Sequence, residues 1–216
     1  RLTADGEDKM SFSSDIKKEL CDVRELSPQQ AEAMLYGIMY ASRMDEGRPL
    51  IQTENIDLMN AAAELIRAVF PNVRTGIVRL VKNSGSLYTL KIRSGWEDIA
   101  ERFGDFSSIS REAVSGGDEE SGAFLRGVFV SCGSVTDPNK EYHLELVLPE
   151  NDRTPALLDF IAEHGMSLKE TARGGARSKK TVLYAKESEL IEDCLTYIGA
   201  ANHSCLLYTS PSPRDR

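Results

Sequence analysis

Cysteine is scarce in this chain and poorly spaced for metal or disulfide chemistry. The four residues, Cys21, Cys132, Cys194 and Cys205, contain no CxxC pair, so neither a disulfide framework nor a zinc knuckle is indicated, and a reducing compartment fits. No apolar run approaches the roughly 18 residues that a membrane span requires. Residues 1–9 lack the apolar stretch of a secretory signal. Positive charge is also short: 26 Lys and Arg stand against 34 Asp and Glu, a net −8. That excludes nucleic-acid binding by bulk charge while leaving room for a local basic face. No Ser or Cys sits beside a His in a local nucleophile motif, so hydrolase chemistry has no support. Gly116-Gly117 and Gly174-Gly175 fit no phosphate-loop spacing and read as turns.

What is present is a globular composition. The 216 residues are 41 % apolar and 28 % charged, enough for one large domain or two small ones. The ends look foreign to it. Residues 205–216 have no helix or strand period, are rich in Ser and Pro, and read like a translated sequencing adapter; a disordered natural tail is the alternative. Met10 with Ser11-Phe12-Ser13-Ser14 looks like a natural start, which makes 1–9 an upstream leader. Setting both ends aside leaves the net charge unchanged, and the natural sequence beyond Ser204 is expected to be missing.

The interior repeats itself. Ser27-Pro28-Gln29-Gln30 is a helix start with a Ser N-cap, Pro at N1 and Gln at N3. The helix carries Ala31, Met34, Leu35, Ile38 and Ser42 on one stripe, and Ala33, Gly37 and Ala41 on a narrower one. Ninety residues on, Phe124, Leu125, Val128, Phe129 and Cys132 stand where Met34, Leu35, Ile38, Met39 and Ser42 stood, and Ala123, Gly127 and Ser131 repeat the small stripe. A row of small residues lets two backbones approach closely, which offsets the roughly 1 kcal/mol that Gly costs inside a helix. The repeated stripe predicts a helix-pair interface.

The segments after each helix also match. The first half continues with a strand at 50–53, an amphipathic helix over Ile56–Phe70, strands at Gly76–Lys82 and Leu87–Arg93 around a hairpin signal at 83–86, and a helix over Trp96–Phe103. The second continues with a strand at Tyr142–Val147, a helix through Leu157 and Ile161 that stops near Gly165, strands at Ser167–Thr171 and Thr181–Ala185, and a helix through Leu190–Ile198. Each half thus reads helix, strand, helix, strand, strand, helix, and together they predict a pseudo-twofold α+β domain. Asp105–Glu120 reads as a polar linker with room for one helical turn, and Ser11–Val23 as a separate amphipathic helix. The expected divisions are 10–25 for that helix, 26–112 for the first repeat and 113–204 for the second.

Leu35-Tyr36-Gly37-Ile38 and Leu125-Arg126-Gly127-Val128-Phe129 resemble the LAGLIDADG helices of homing endonucleases. A closer resemblance is to the WhiA family of bacterial sporulation regulators, whose N-terminal domain is LAGLIDADG-like. It is carried by residues 10–21 (MSFSSDIKKELC), 52–55 (QTEN), 124–135 (FLRGVFVSCGSV) with Thr136-Asp137-Pro138, 142–145 (YHLE), and Ile198-Gly199-Ala200 with Asn202. It departs at Glu119-Glu120-Ser121, where the family commonly has a cysteine pair, and at Ala201, which breaks a His-Asn ending.

The resemblance implies a bacterial, nucleoid-associated transcriptional regulator of sporulation and cell division. DNA would be bound mainly by a C-terminal helix-turn-helix domain missing from this chain, and a protein partner would also be open to it. In the nuclease relatives, an acid at the last turn of each paired helix holds the catalytic metal ions. The aligned positions here are Ser42 and Cys132, neither a carboxylate, so no metal, cofactor or catalytic residue is assigned. An active LAGLIDADG endonuclease and a pure protein-interaction module remain the alternatives. Asp45 and Asp137 lie past the helix ends, and Asp137-Pro138 reads as a turn. His143 reads as structural and His164 as a cation at a helix C-terminus, while His203 lies near the cut end. In the nucleases the sheets enter the DNA major groove. By analogy Thr89, Lys91 and Arg93 on one strand face, with Arg74, Arg79 and Lys82 near them, and Arg173, Arg177, Lys179 and Lys180 in the second hairpin, are candidate DNA contacts. Ordinary solvated surface is the reading favoured by the net charge.

Overall fold

The computed structural model describes residues 11–200 except 83–84, 138, 150 and 176–179. The leader, the 205–216 tail, Asn202, His203, Arg177, Lys179 and Pro138 lie outside the described residues.

The first paired helix, α2 (Pro28–Tyr40), starts as its sequence dictates. Ser27 Oγ accepts from the Gln30 backbone N–H while Gln30 Oε1 accepts from that of Ser27, a reciprocal capping box. It is buried on nearly every side from Ala33 to Tyr40. Its counterpart α5 (Asp118–Cys132) has no side-chain cap but carries Asp118, Glu119 and Glu120 in its first turn, where the helix dipole favours negative charge. The two helices meet along the small stripes. A Cβ on Gly37 would run into the carbonyl oxygen of Phe124, and one on Gly127 into that of Met34, both closer than the 3.0 Å that real Cβ atoms respect. Ala33, Ala41 and Ala123 are buried beside them.

Around this pair, each half builds the same sheet. After α2 come β1 (Arg43–Asp45), β2 (Arg48–Thr53), α3 (Ile56–Val69), β3 (Arg74–Lys82), β4 (Gly85–Ser94) and α4 (Trp96–Phe103). After α5 come β5 (Gly133–Val135), β6 (Leu144–Leu146), a 3-10 turn at Asn151–Arg153, α6 (Thr154–Glu163), β7 (Lys169–Arg173), β8 (Lys180–Ala185) and α7 (Ser188–Tyr197). The strand orders are β1-β2-β4-β3 and β5-β6-β8-β7, all antiparallel. The pseudo-twofold α+β architecture expected from the repeat is therefore present, with a short additional strand directly after each paired helix. β1 turns into β2 through Glu46 and Gly47, both at positive φ, as a two-residue hairpin requires.

Two local expectations are corrected. Residues 105–120 are not a solvated polar linker: Phe106, Ala113 and Val114 are buried, and Asp118–Glu120 already belong to α5. The Tyr36 hydroxyl holds this stretch, donating to the Ser108 carbonyl at 3.0 Å and accepting from the Ser110 N–H at 2.8 Å. An aromatic row then links the halves, with Tyr36 against Phe103, Phe106 and Phe124, and Phe124 against Phe160. The N-terminal helix, α1 (Phe12–Leu20), is not separate. It buries Ile16 and Leu20 and packs against α3, α5 and β5.

Candidate functional site

The ends of α2 and α5 are where a LAGLIDADG nuclease would hold its metals, so their chemistry decides what this scaffold can do. Ser42 follows α2, is buried, and donates its hydroxyl to the Ile38 carbonyl at 2.7 Å. That bond closes a helical turn and commits the hydroxyl proton to the backbone, and a neutral hydroxyl lacks the negative charge that a divalent metal ion favours. Ser42 and Ser131 border one cleft with Ala41, Arg43, Gln52 and Pro149. The Ser131 oxygen is buried with no hydrogen-bond partner among the described residues. Cys132 does not line that cleft. Burial pushes its thiol up to about 12, against the opposing pull of the Lys17 ammonium, so it is neutral at pH 7. Neither aligned position thus offers a carboxylate or a thiolate to a metal ion.

Two cations occupy the neighbourhood instead. Arg153 is buried, and its guanidinium donates to the Tyr40 carbonyl at 2.6 Å and the Ser42 carbonyl at 3.2 Å. The Tyr40 hydroxyl returns a bond to the Arg153 carbonyl at 2.9 Å. These are orphan carbonyls at the end of α2, where the helix dipole suits a cation. On the α5 side, α1 brings Lys17 within electrostatic reach of Cys132 and Cys21, and Ser13 Oγ accepts from the Val135 N–H at 3.3 Å. Burial lowers the Lys17 pKa. A divalent metal needs several oxygen ligands of negative charge. The described residues contain no group of three or more His, Cys, Asp or Glu able to hold one. Asp45 is exposed beyond the helix end, and Asp137 accepts from Asn139 in a turn. The residues present do not fit the metal ions that the nuclease relatives imply.

The candidate DNA-contact residues split by half. The Gln52 side-chain amide donates to Thr89 Oγ1 at 3.0 Å. By register, Lys91 faces Gly76 across β3–β4, and the Arg93 side chain lies over Gly76, which leaves room for it only because it has no Cβ. In the second half, Arg173 donates to Glu145 at 2.7 and 3.2 Å and holds the Glu145 carboxyl below the usual range. Lys180 donates to the Pro149 carbonyl. His143 contacts Glu145 at 3.4 Å and stacks on Tyr184, and His164 bonds the Phe160 carbonyl at 2.8 Å. Lys17 and Arg153 carried no signal as a site in the sequence: the Arg153 bonds span 111 and 113 positions, beyond any local motif.

A family model described as the WhiA LAGLIDADG-like domain matches residues 121–210. The probable cell division protein WhiA of Clostridium novyi (strain NT) is 32 % identical over 223 residues, covering 92 % of this chain and 67 % of that protein. That of Clostridium acetobutylicum is 32 % identical over 218 residues with the same coverages. The chain thus spans about two thirds of the length of these curated relatives. Among solved structures, the N-terminal LAGLIDADG domain of DUF199/WhiA matches at TM-score 0.67 and 20 % identity, over 88 % of this chain and 94 % of that one. The homing endonuclease I-DmoI in complex with DNA and Mn matches at 0.54 and 12 %, over 80 % and 98 %. Both likenesses concern the fold.

Proposed function

The chain belongs to the WhiA family of cell division proteins, and from that premise we propose that it is the N-terminal scaffold of a DNA-binding transcriptional regulator of sporulation and cell division. In this reading the LAGLIDADG-like helix pair has kept its packing and lost its chemistry. DNA is contacted mainly by a C-terminal helix-turn-helix domain of the full-length protein, and the present domain supports it or receives a partner. The observation that carries the reading is the charge at the helix ends. Where metal-holding acids would stand there is a hydroxyl committed to a carbonyl and a neutral thiol, with the side chains of Arg153 and Lys17 supplying positive charge nearby.

Two experiments test it. Incubated with supercoiled plasmid and Mg²⁺ or Mn²⁺, the chain should leave the plasmid intact; metal-dependent nicking would restore the endonuclease reading. In gel shifts, the full-length protein should retain specific DNA and this chain should not. Equal retention by both would move the contact onto Thr89, Lys91 and Arg93, and no retention by either would leave a protein-interaction module.

A further inference from the structure

Strand β3 is the outer edge of the first sheet, and it is the least protected apolar surface described. Of the five exposed large apolar residues among those described, four lie on it: Ile77, Val78, Leu80 at 57 % and Val81 at 70 %. An edge strand turns alternate N–H and C=O groups away from its only neighbour, and proteins normally cover or charge such an edge. Here the aliphatic side chains fall on both faces. Val78 and Leu80 stand beside Thr89 and Leu87 on one face, and Ile77 and Val81 beside Leu90 and Ser86 on the other. The only charges on β3 are cations, Arg74, Arg79 and Lys82, with Lys91 and Arg93 on the adjoining strand. The one ion pair they make among the described residues is Lys82 with Glu54, at 3.8 Å and exposed. A basic, apolar edge thus stands on a chain of net charge −8.

We propose that the free edge of β3 is a docking site for an extended acidic segment of a partner protein, which adds to the first sheet as a fifth strand. Main-chain bonds along the edge would supply affinity, aliphatic side chains of the incoming strand would cover Val78 and Leu80 on one face and Ile77 and Val81 on the other, and its carboxylates would meet Arg74, Arg79 and Lys82. Charge and chemistry select this occupant. A second copy pairing through its own β3 would bring like charges together. A phosphate backbone would find half of the outer face aliphatic. The proposal goes beyond the function proposed above and requires only that this edge is not itself the DNA-reading surface.

The probe is a ten-residue peptide repeating Val-Val-Glu-Glu, which puts valine and glutamate on both faces of an added strand, with the matching Val-Val-Lys-Lys peptide and a random DNA duplex as competitors. The acidic peptide should bind, shift backbone amides of 74–82 and 85–94 in NMR spectra, and weaken as salt is raised. The double variant Ile77→Ser, Val81→Ser should lose at least ten-fold in affinity with an unchanged melting temperature, because both side chains are exposed. A milder variant, Val81→Ser alone, should lose about three-fold and guards against a folding defect in the double. Absence of binding, equal binding of the lysine peptide, amide shifts outside β3 and β4, or an unaffected double variant would each overturn the proposal. So would displacement by the duplex, which would assign the edge to DNA, or concentration-dependent dimerisation that the double variant abolishes, which would assign it to a second copy.

Discussion

The outer strand pairs of the two sheets occupy equivalent places and present opposite surfaces. In the first, β3 exposes aliphatic side chains, and β4 leaves Lys91 and Arg93 without an ion pair among the described residues. In the second, β7 exposes only polar, charged and small side chains, and its cations are engaged: Lys169 with Glu187 at 2.6 Å and Arg173 with Glu145. The helices that carry these sheets, in contrast, keep the same glycine at the same contact. Backbone-to-backbone approach tolerates no substitution, so the centre of a duplicated fold holds its symmetry. Solvent-facing strands are free to diverge, and divergence there is where separate roles arise.

The largest expected effect breaks the symmetric part. Gly37→Ala and Gly127→Ala each drive a methyl into main-chain atoms of the facing helix, which cannot rotate away. Each should cost about 3 kcal/mol, the upper range of overpacking, and lower the melting temperature by about 10 °C in a chain of this size. The two losses should be alike. Gly175→Ala, where nothing lies within 4 Å, should leave thermal unfolding unchanged. A large difference between Gly37→Ala and Gly127→Ala would show that the two helices do not contribute equally to the contact.

A second, smaller effect compares two arginines that cap helix ends. Arg153→Met strips donors from the Tyr40 and Ser42 carbonyls in a buried setting, and should cost about 2–3 kcal/mol by leaving them unsatisfied. Arg126→Met removes the same kind of support from the α1 end, at the Leu20 and Asp22 carbonyls. There water can replace part of what is lost, so about 1 kcal/mol is expected. Denaturant unfolding of both variants measures the order, and a reversed order would put the heavier burden on α1.

How much of the fold and the site was legible in the sequence depends on the range of each signal. The α2 start was readable because its cap, Pro28 and Gln30 lie within four residues. The glycine contact was readable because the same stripe recurs at a fixed offset. β1 and β5 were missed because three residues carry no alternation, and their pairing is set by the turn and by the neighbouring strand. The buried stretch around Phe106 was missed because its polar composition hides three apolar anchors, Phe106, Ala113 and Val114, of which Phe106 joins the aromatic row formed only on folding. At the candidate site, that Ser42 and Cys132 are not carboxylates was plain in the sequence. The cations were not, since Arg153 and Lys17 arrive from distant segments.

The smallest expected effect sharpens the contrast between the sheets through pH. The Arg173 guanidinium beside Glu145 holds that carboxyl below its ordinary value, and the His143 bond adds to it. A carboxylate with a depressed folded pKa contributes stability that is complete above its unfolded pKa, about 4.3 for Glu, and that fades as pH falls through the lower folded value. The second sheet should therefore lose stability in the acid range below about pH 4, by less than about 1 kcal/mol because Arg173 is exposed and the pair is screened. Arg173→Gln should raise the Glu145 titration toward the ordinary range and remove most of that acid loss. Lys91→Gln on the first sheet should leave the acid limb of the stability curve where it was, since it has no carboxylate partner among the described residues. An NMR titration of the Glu145 carboxyl in both variants gives the answer. If Lys91→Gln moves that titration as far as Arg173→Gln does, the two sheets are electrostatically one surface, and the division between an engaged face and an open one is lost.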